Sequence, residues 1–128
     1  MALRKTFKGF TEEQLKSLSW DEFLKLIPSS SRRSLRRMSF QAKKFLEKEK
    51  KHDFTKKPLK THFRQMPIIP DMLGKRFQVY NGNSFVDLTV TLDMVGRRLG
   101  EYANPIKLVR HSGPGIGATR GSKSVELK

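Results

Sequence analysis

Residues 76–92 carry the feature that most constrains the fold, an alternation of apolar and polar residues around an Asn-Gly pair. Phe77 and Val79 alternate before Asn81 and Gly82. A second apolar set follows the pair: Val86, Leu88, Val90 and Leu92. Because successive side chains of a strand point to opposite faces, and Asn-Gly suits a tight turn, this pattern predicts a β-hairpin with one buried face.

The residues around the hairpin predict the rest of a small domain. Pro70 can start and Gly74 can stop a short helical turn. A helix is expected from about Asp93 to Gly100, and residues 106–109 (IKLV) are expected to return as the third strand. A lone hairpin is marginal in water, so the helix and turn should cover one sheet face. The predicted fold is α+β, a small three-stranded mixed β-sheet with short helices.

The residues before this block predict helices. Thr11 with Gln14, and Ser19 with Glu22, have the spacing of capping boxes, so residues 11–27 are expected to form two short helices. Trp20 is interpreted as a packing anchor, and residues 29–52 as a further helix. The chain is then expected to run extended past Pro58. This gives a helical, basic N-terminal extension over 1–55, an α+β core over 56–112 and a flexible glycine-rich basic tail over 113–128.

The formal charge of +15 is unevenly distributed along the 128 residues. Residues 32–64 hold 13 Lys and Arg against three Asp and Glu, and residues 107–128 hold five against one. Residues 65–106 between them are balanced, with four of each. Two basic segments around a neutral block favour a polyanionic partner such as nucleic acid or an anionic membrane surface.

The basic segment supplies most of the candidate phosphate-binding residues. The spacing of Arg32, Arg33, Arg36 and Arg37 predicts four guanidinium groups along one side of a helix, each able to bind phosphate, although an exposed charged helix is the alternative. Lys43 and Lys44 continue this helix. The extended stretch after it adds Lys56, Lys57, Lys60 and Arg64, with His62 and Phe63 interleaved. Such a strand is typical of chains that follow a nucleic-acid backbone.

Several other kinds of function find no support in the residues. Zero Cys excludes disulfides and thiol chemistry, and no apolar run approaches the roughly 18 residues of a membrane span, so a soluble, intracellular protein is expected. Gly121 is followed by Ser122 before Lys123, which breaks the P-loop pattern. The three His residues lack metal-ligand spacing, and no carboxylates are paired for acid/base work. The sequence therefore predicts no enzyme, no metal and no cofactor.

Five motifs in fixed order then resemble a known family. KKPLKT, IIPDMLG, VYNG, MVGRRLGEY and KLVRH, over residues 56–112, are similar to the family of small-subunit ribosomal protein nineteen in the bacterial count, called fifteen in the eukaryotic one. The helical N-terminal extension and the GPGIGATRGSK tail resemble the archaeal and eukaryotic branch. The resemblance implies a structural protein of the small-subunit head in the cytoplasmic ribosome, bound to the 3′ major domain of ribosomal RNA beside ribosomal protein thirteen, with no membrane.

The resemblance also implies site residues. RNA contacts are expected from the stretch containing Lys57, Lys60 and Thr61, from the hairpin turn, and from the end of the third strand. The hairpin turn contributes Asn81 and Gly82, and the expected helix after it contributes Arg97 and Arg98. The third strand and its end contribute Lys107, Arg110 and His111. The tail, with Arg120 and Lys123, is expected to reach toward the decoding region and transfer RNA. Ordering a glycine-rich chain costs roughly 1–2 kcal/mol per residue, so RNA would have to order this tail.

Three rival functions can be compared with this one from the residues alone, and an enzyme is the least supported of them. A nucleic-acid chaperone without a fixed site would have the same composition. A membrane-surface or acidic-protein binder would need a basic helix with a broad apolar face, which residues 32–51 offer only weakly. The third alternative is an enzyme, but this sequence contains no paired catalytic residues.

Overall fold

The computed structural model describes residues 5–110. Within that range the chain forms four α-helices, three strands and three short 3₁₀ helices. The α-helices are α1 (Glu12–Ser17), α2 (Trp20–Leu26), α3 (Ser29–Arg36) and α4 (Phe40–Lys51). The strands are β1 (Leu59–Thr61), β2 (Arg76–Tyr80) and β3 (Phe85–Thr89), and the 3₁₀ helices span Pro70–Met72, Leu92–Met94 and Leu99–Tyr102. The predicted α+β class is confirmed.

The predicted hairpin is present as β2 and β3, which pair antiparallel with Phe77 opposite Leu88 and Tyr80 opposite Phe85. Phe77, Val79 and Leu88 are buried, as the alternation predicts. The connection runs from 81 to 84, where the Asn81 side-chain Oδ1 accepts hydrogen bonds from the N–H groups of Asn83 (3.1 Å) and Ser84 (2.8 Å). An Asn side chain thus closes the turn while Gly82 adopts a φ of 107°.

The third strand is not the predicted one. β1 pairs parallel with the free edge of β2, with Leu59 opposite Phe77, so the sheet order is β1-β2-β3 and the sheet is mixed as expected. Residues 104–110, which include the predicted strand 106–109, form no regular element and are exposed. The prediction was wrong because Leu59 and Thr61 already bury their side chains along that edge of β2, while Leu108 is 94% exposed.

The predicted helix from Asp93 to Gly100 is also absent, since two 3₁₀ helices separated by Gly96 (φ 81°) occupy its place. Besides the short-range bonds of the 3₁₀ turns, several backbone groups of this segment bond to residues 64–68. Gly96 N–H donates to the Ile68 carbonyl (3.0 Å), Ile68 N–H to the Arg97 carbonyl (2.7 Å), and Leu99 N–H to the Met66 carbonyl (3.0 Å). An α-helix would need the same groups for its own ladder.

The two capping boxes form as predicted. The Thr11 N–H donates to Gln14 Oε1 (3.0 Å), and Ser19 and Glu22 exchange hydrogen bonds in the same way. The single helix expected over 29–52 is instead broken between Arg36 and Phe40, because the Ser39 hydroxyl accepts from Ala42 N–H (3.2 Å) and starts a new helix, α4.

The helices and the sheet bury their apolar residues in one hydrophobic cluster. Leu15, Phe23, Leu35 and Phe45 from the four helices lie in the same cluster as Phe77 from the sheet. Trp20 was predicted to be a packing anchor, but 44% of it is exposed, so it buries less surface than expected. Its ring contacts that of Phe23 at a centroid distance of 6.1 Å. Nothing among the helices of residues 5–110 has the length and apolarity of a membrane span.

Candidate nucleic-acid interface

Three arginines from two distant parts of the chain line one groove. Arg33 lies in the last turn of α3 and Arg37 directly follows that helix, while Arg98 comes from the segment that bonds to residues 64–68. The groove has a volume of about 280 Å³, and its other lining residues are Ser34, Ser39, Ala42, Phe63, Gln65 and Pro67. None of the lining residues is acidic. We call this site the arginine groove.

Arg98 is positioned on the groove by contacts on both sides. Its Nη2 donates to the Ser34 hydroxyl of α3 (3.3 Å). Its backbone lies antiparallel to Pro67, between the Ile68–Arg97 and Leu99–Met66 hydrogen bonds. Its backbone N–H donates to Glu101 Oε1 (3.3 Å). The neighbouring Arg97 is exposed, with Nη1 3.9 Å from Glu101 Oε2. The predicted pair Arg97 and Arg98 is thus divided, and only Arg98 lines the groove.

Arg32 does not line the arginine groove with Arg33 and Arg37. Its Nε donates to the Leu24 carbonyl (2.8 Å) and its Nη2 to the carbonyl of Ile27 (3.2 Å), so its guanidinium caps the C-terminal end of α2. Arg36 is exposed at the end of α3. The predicted single row of four guanidinium groups was wrong, because capping α2 draws Arg32 away.

A second groove carries the lysines that follow the arginines. It has a volume of about 550 Å³ and is lined by Gln41, Lys44, Phe45, Lys48, Lys60, Thr61, His62 and Phe63. We call it the lysine groove. Phe63 lines both grooves, so the two are adjacent. Lys43 is exposed on α4 outside the lining.

Two predicted RNA-binding residues are engaged inside the fold. The Arg64 guanidinium donates to the carbonyls of Tyr80 (2.5 Å), Gly100 (2.8 Å) and Ala103 (2.7 Å). Thr61 is buried, and its hydroxyl accepts from Phe63 N–H (3.0 Å). The structure therefore gives both side chains internal partners that sequence spacing could not reveal.

The remaining predicted residues are spread over the surface. Lys56 is exposed and 3.4 Å from the Asp53 carboxylate, and the Lys57 carbonyl accepts from His52 Nε2 (2.8 Å). Asn81 and Gly82 form the hairpin connection described above. Exposed Lys107 and Arg110 lie in the irregular segment 104–110. His111, Arg120 and Lys123 lie outside the described residues.

Two arrangements were missed by sequence reasoning. Glu49 of α4 is 2% exposed and forms an ion pair with Lys75, which ties the helix to the start of β2. His62, Tyr80 and Phe85 form a cluster of rings with centroid distances of 4.5 to 5.2 Å. Tyr80 and Phe85 stand at matching positions on either side of the hairpin connection, so the alternation could have paired them. Nothing local in the sequence indicates either His62 or Lys75 as a partner.

The groups whose pKa departs from its ordinary value are two carboxylates with local hydrogen bonds and one partly buried tyrosine. The hydrogen bond from the Thr55 hydroxyl (2.5 Å) lowers the pKa of Asp53, and the bond from Ser19 lowers the pKa of Glu22. Burial raises the pKa of Tyr102. None of these groups lines either groove. Within residues 5–110 there is also no cluster of three His, Asp or Glu side chains suited to a metal ion.

Comparison with known proteins identifies a family that matches the residues of this surface. The family model described as Ribosomal protein S19 matches residues 33–111. The chain belongs to the ribosomal protein S19 family. The predicted resemblance is therefore confirmed, and the matched range contains all three arginines of the arginine groove.

Relatives named small ribosomal subunit protein uS19 extend the similarity to 96% of the chain. The protein of Thermoplasma volcanium is 45% identical and that of Thermoplasma acidophilum 41%, each covered over 80% of its own length. The protein of Methanococcoides burtonii is 42% identical and covered over 88%. These are archaeal ribosomal protein S19 sequences, in agreement with the predicted branch. As a member of a ribosomal protein family, the chain has its place in the cytoplasmic ribosome and in translation.

Proposed function

We propose that this member of the ribosomal protein S19 family binds small-subunit ribosomal RNA through the arginine and lysine grooves, as a structural constituent of the small subunit. The observation that carries this proposal is the arginine groove, where Arg33, Arg37 and Arg98 meet without an acidic residue in the lining. A planar guanidinium can bind two phosphate oxygens at once, and three in one groove suit a backbone that carries one phosphate per nucleotide. Such an arrangement supports positioning of RNA and offers no catalytic pair.

The finer placement extends this proposal. The family resemblance supports a position in the head of the subunit, on the 3′ major domain and beside ribosomal protein thirteen. Segment 104–110 is a suitable contact for a protein neighbour, since Ile106, Leu108 and Val109 are exposed apolar side chains between basic residues. A neighbouring protein would bury the apolar side chains while RNA neutralised Lys107 and Arg110. The tail from Gly113 would then extend toward the decoding region and transfer RNA, with Arg120 and Lys123 on phosphates.

The test is a salt titration of binding to a 3′ major domain fragment of ribosomal RNA. Arg33→Gln with Arg37→Gln removes two charges from the arginine groove. It keeps Arg32, which caps the C-terminal end of α2. Log K falls by roughly 0.7–0.9 per phosphate neutralised for each tenfold rise in salt. We therefore expect the slope of log K against log salt to flatten by about 1.5 in this variant.

The matched control is Lys50→Gln with Lys51→Gln, which removes the same charge from exposed positions of α4 outside both grooves. The control should change the slope much less than the groove variant. Equal slopes for the two variants would show that net charge alone drives binding. Equal affinity of the unaltered protein for the fragment and for unrelated RNA would reject the proposed function in favour of a nonspecific RNA binder.

A further inference from the structure

Three aromatic rings meet at the surface where the three strands come together. His62 follows β1, Tyr80 ends β2, and Phe85 begins β3. The His62 centroid is 4.5 Å from that of Tyr80 and 5.1 Å from that of Phe85, and the last two are 5.2 Å apart. His62 is exposed, and the other two are half-buried. We call these three rings the aromatic tray.

The tray is held in place by the hairpin. The Tyr80 hydroxyl donates to the carbonyl of Gly82 (2.9 Å), which fixes one ring against the connection. Tyr80 and Phe85 are also paired across the ladder, so their rings are neighbours before any ligand arrives. Rings that are already fixed lose little further conformational entropy when a flat ligand stacks on them.

Lysines outnumber carboxylates near the tray. The nearby acidic residue on β3 is Asp87, whose Oδ1 accepts a hydrogen bond from Gln78 Nε2 (2.7 Å). Lys60 Nζ lies 5.4 Å from the centre of the Phe85 ring. His62 also lines the lysine groove, whose lining includes Lys44, Lys48 and Lys60 and no acidic residue. A ligand with a flat apolar face and an attached anionic backbone would match both features at once.

We propose that an unpaired nucleobase of RNA stacks on the aromatic tray while its flanking phosphates lie in the lysine groove. This inference rests on the proposed function and adds a second kind of contact to it. Phosphate contacts position a protein on any RNA strand, whereas stacking requires a base that is free of its helix. The tray would therefore direct the protein to a loop or bulge. The lysines argue for a nucleotide over an uncharged apolar side chain of a protein.

The first experiment replaces two rings and keeps the anchored one. His62→Leu with Phe85→Leu retains apolar bulk but removes two π faces, and leaves the Tyr80 bond to Gly82 intact. Binding of the full chain to the 3′ major domain fragment should weaken about tenfold at every salt concentration, with the slope unchanged, because stacking releases no counterions. His62→Phe with Phe85→Tyr should restore affinity.

The control for this variant is Phe40→Leu, at a ring that is 79% exposed and belongs to neither groove nor tray. It should leave affinity unchanged. If the tray variant bound the fragment as tightly as the unaltered protein, the stacking proposal would be overturned while the proposed function stood. A flattened slope in the tray variant would also count against stacking, because that result indicates a lost phosphate contact.

A second measurement keeps the stacking proposal testable if the fragment is not the natural site. Ring proton resonances of the unaltered protein are followed as hexaadenylate is added. Tyr80 should show an upfield ring-current shift, whereas Tyr102 should not, and heparin, which has charge but no bases, should not reproduce the shift. Equal responses to hexaadenylate and heparin would overturn the stacking proposal independently of ribosomal RNA.

Discussion

At the residue scale, the arginines of the basic segment 32–64 have two roles, internal hydrogen bonding and lining of a groove. Composition alone cannot tell the two roles apart. Arg32 and Arg64 donate to backbone carbonyls inside the fold, while Arg33 and Arg37 face a groove. The sequence predicts all four as candidate phosphate ligands because each carries the same charge and lies in the basic segment 32–64. Which arginines remain available depends on carbonyls brought near by folding, such as those of Gly100 and Ala103 for Arg64.

Arg64 allows this distinction to be tested. Arg64→Lys keeps the charge but replaces a planar fork that reaches three carbonyls by a single ammonium group. We expect the free energy of unfolding in urea to fall by about 2 kcal/mol, in the range of hydrogen bonds made by charged groups. The slope of RNA binding against salt should stay unchanged. Unaltered stability together with a flatter slope would instead make Arg64 a phosphate ligand.

At the element scale, local signals were sufficient where partners are close in the chain. The capping boxes and the hairpin were predicted because Ser19 with Glu22, and Tyr80 with Phe85, are separated by only a few residues. The third strand and the helix from Asp93 were wrong because their outcome depends on distant segments. β1 takes the edge of β2, and residues 64–68 take the backbone groups around Gly96. Each groove likewise combines segments that no local pattern connects.

Gly96 lies where the helix predicted from Asp93 to Gly100 is interrupted, and its backbone and surroundings restrict which residue can stand there. A Cβ added there would lie 3.0 Å from Ile27 Cγ2, and its φ of 81° disfavours any L side chain. Gly74 has nearly the same φ (78°) but nothing within 4 Å of an added Cβ, so it is the matched control. Gly74→Ala should lower the free energy of unfolding by about 1 kcal/mol through backbone strain alone.

Gly96→Ala should cost more than its control, because the strained backbone is combined with contact against Ile27, the residue that follows α2. We expect about 2 kcal/mol in the same urea titration. The difference between the two variants reports how tightly Ile27 packs on this segment. Equal losses would mean that Ile27 moves aside freely and does not restrict residue 96.

At the scale of the whole molecule, charge and structure divide the chain differently. Residues 65–106 are neutral as a block, yet Arg98 from that block completes the arginine groove with Arg33 and Arg37 from the basic segment. The helices before residue 56 share one hydrophobic cluster with the sheet. Folding therefore converts a partition of charge along the sequence into a basic surface built from both parts.

This surface predicts how the protein should behave in a ribosome preparation. Phosphate contacts weaken steeply as salt rises, so a protein held by charge alone would be washed off at high salt. A protein built into the subunit is also held by apolar contacts, such as those proposed for segment 104–110, which salt does not weaken. In sucrose gradients of lysate, tagged full-length protein should therefore comigrate with the small subunit at moderate and at high salt. The Arg33→Gln, Arg37→Gln variant should leave the subunit at a lower salt concentration than the Lys50→Gln, Lys51→Gln control. Tagged protein near the top of the gradient, or released by mild salt, would mean that the two grooves bind RNA without a fixed place in the subunit.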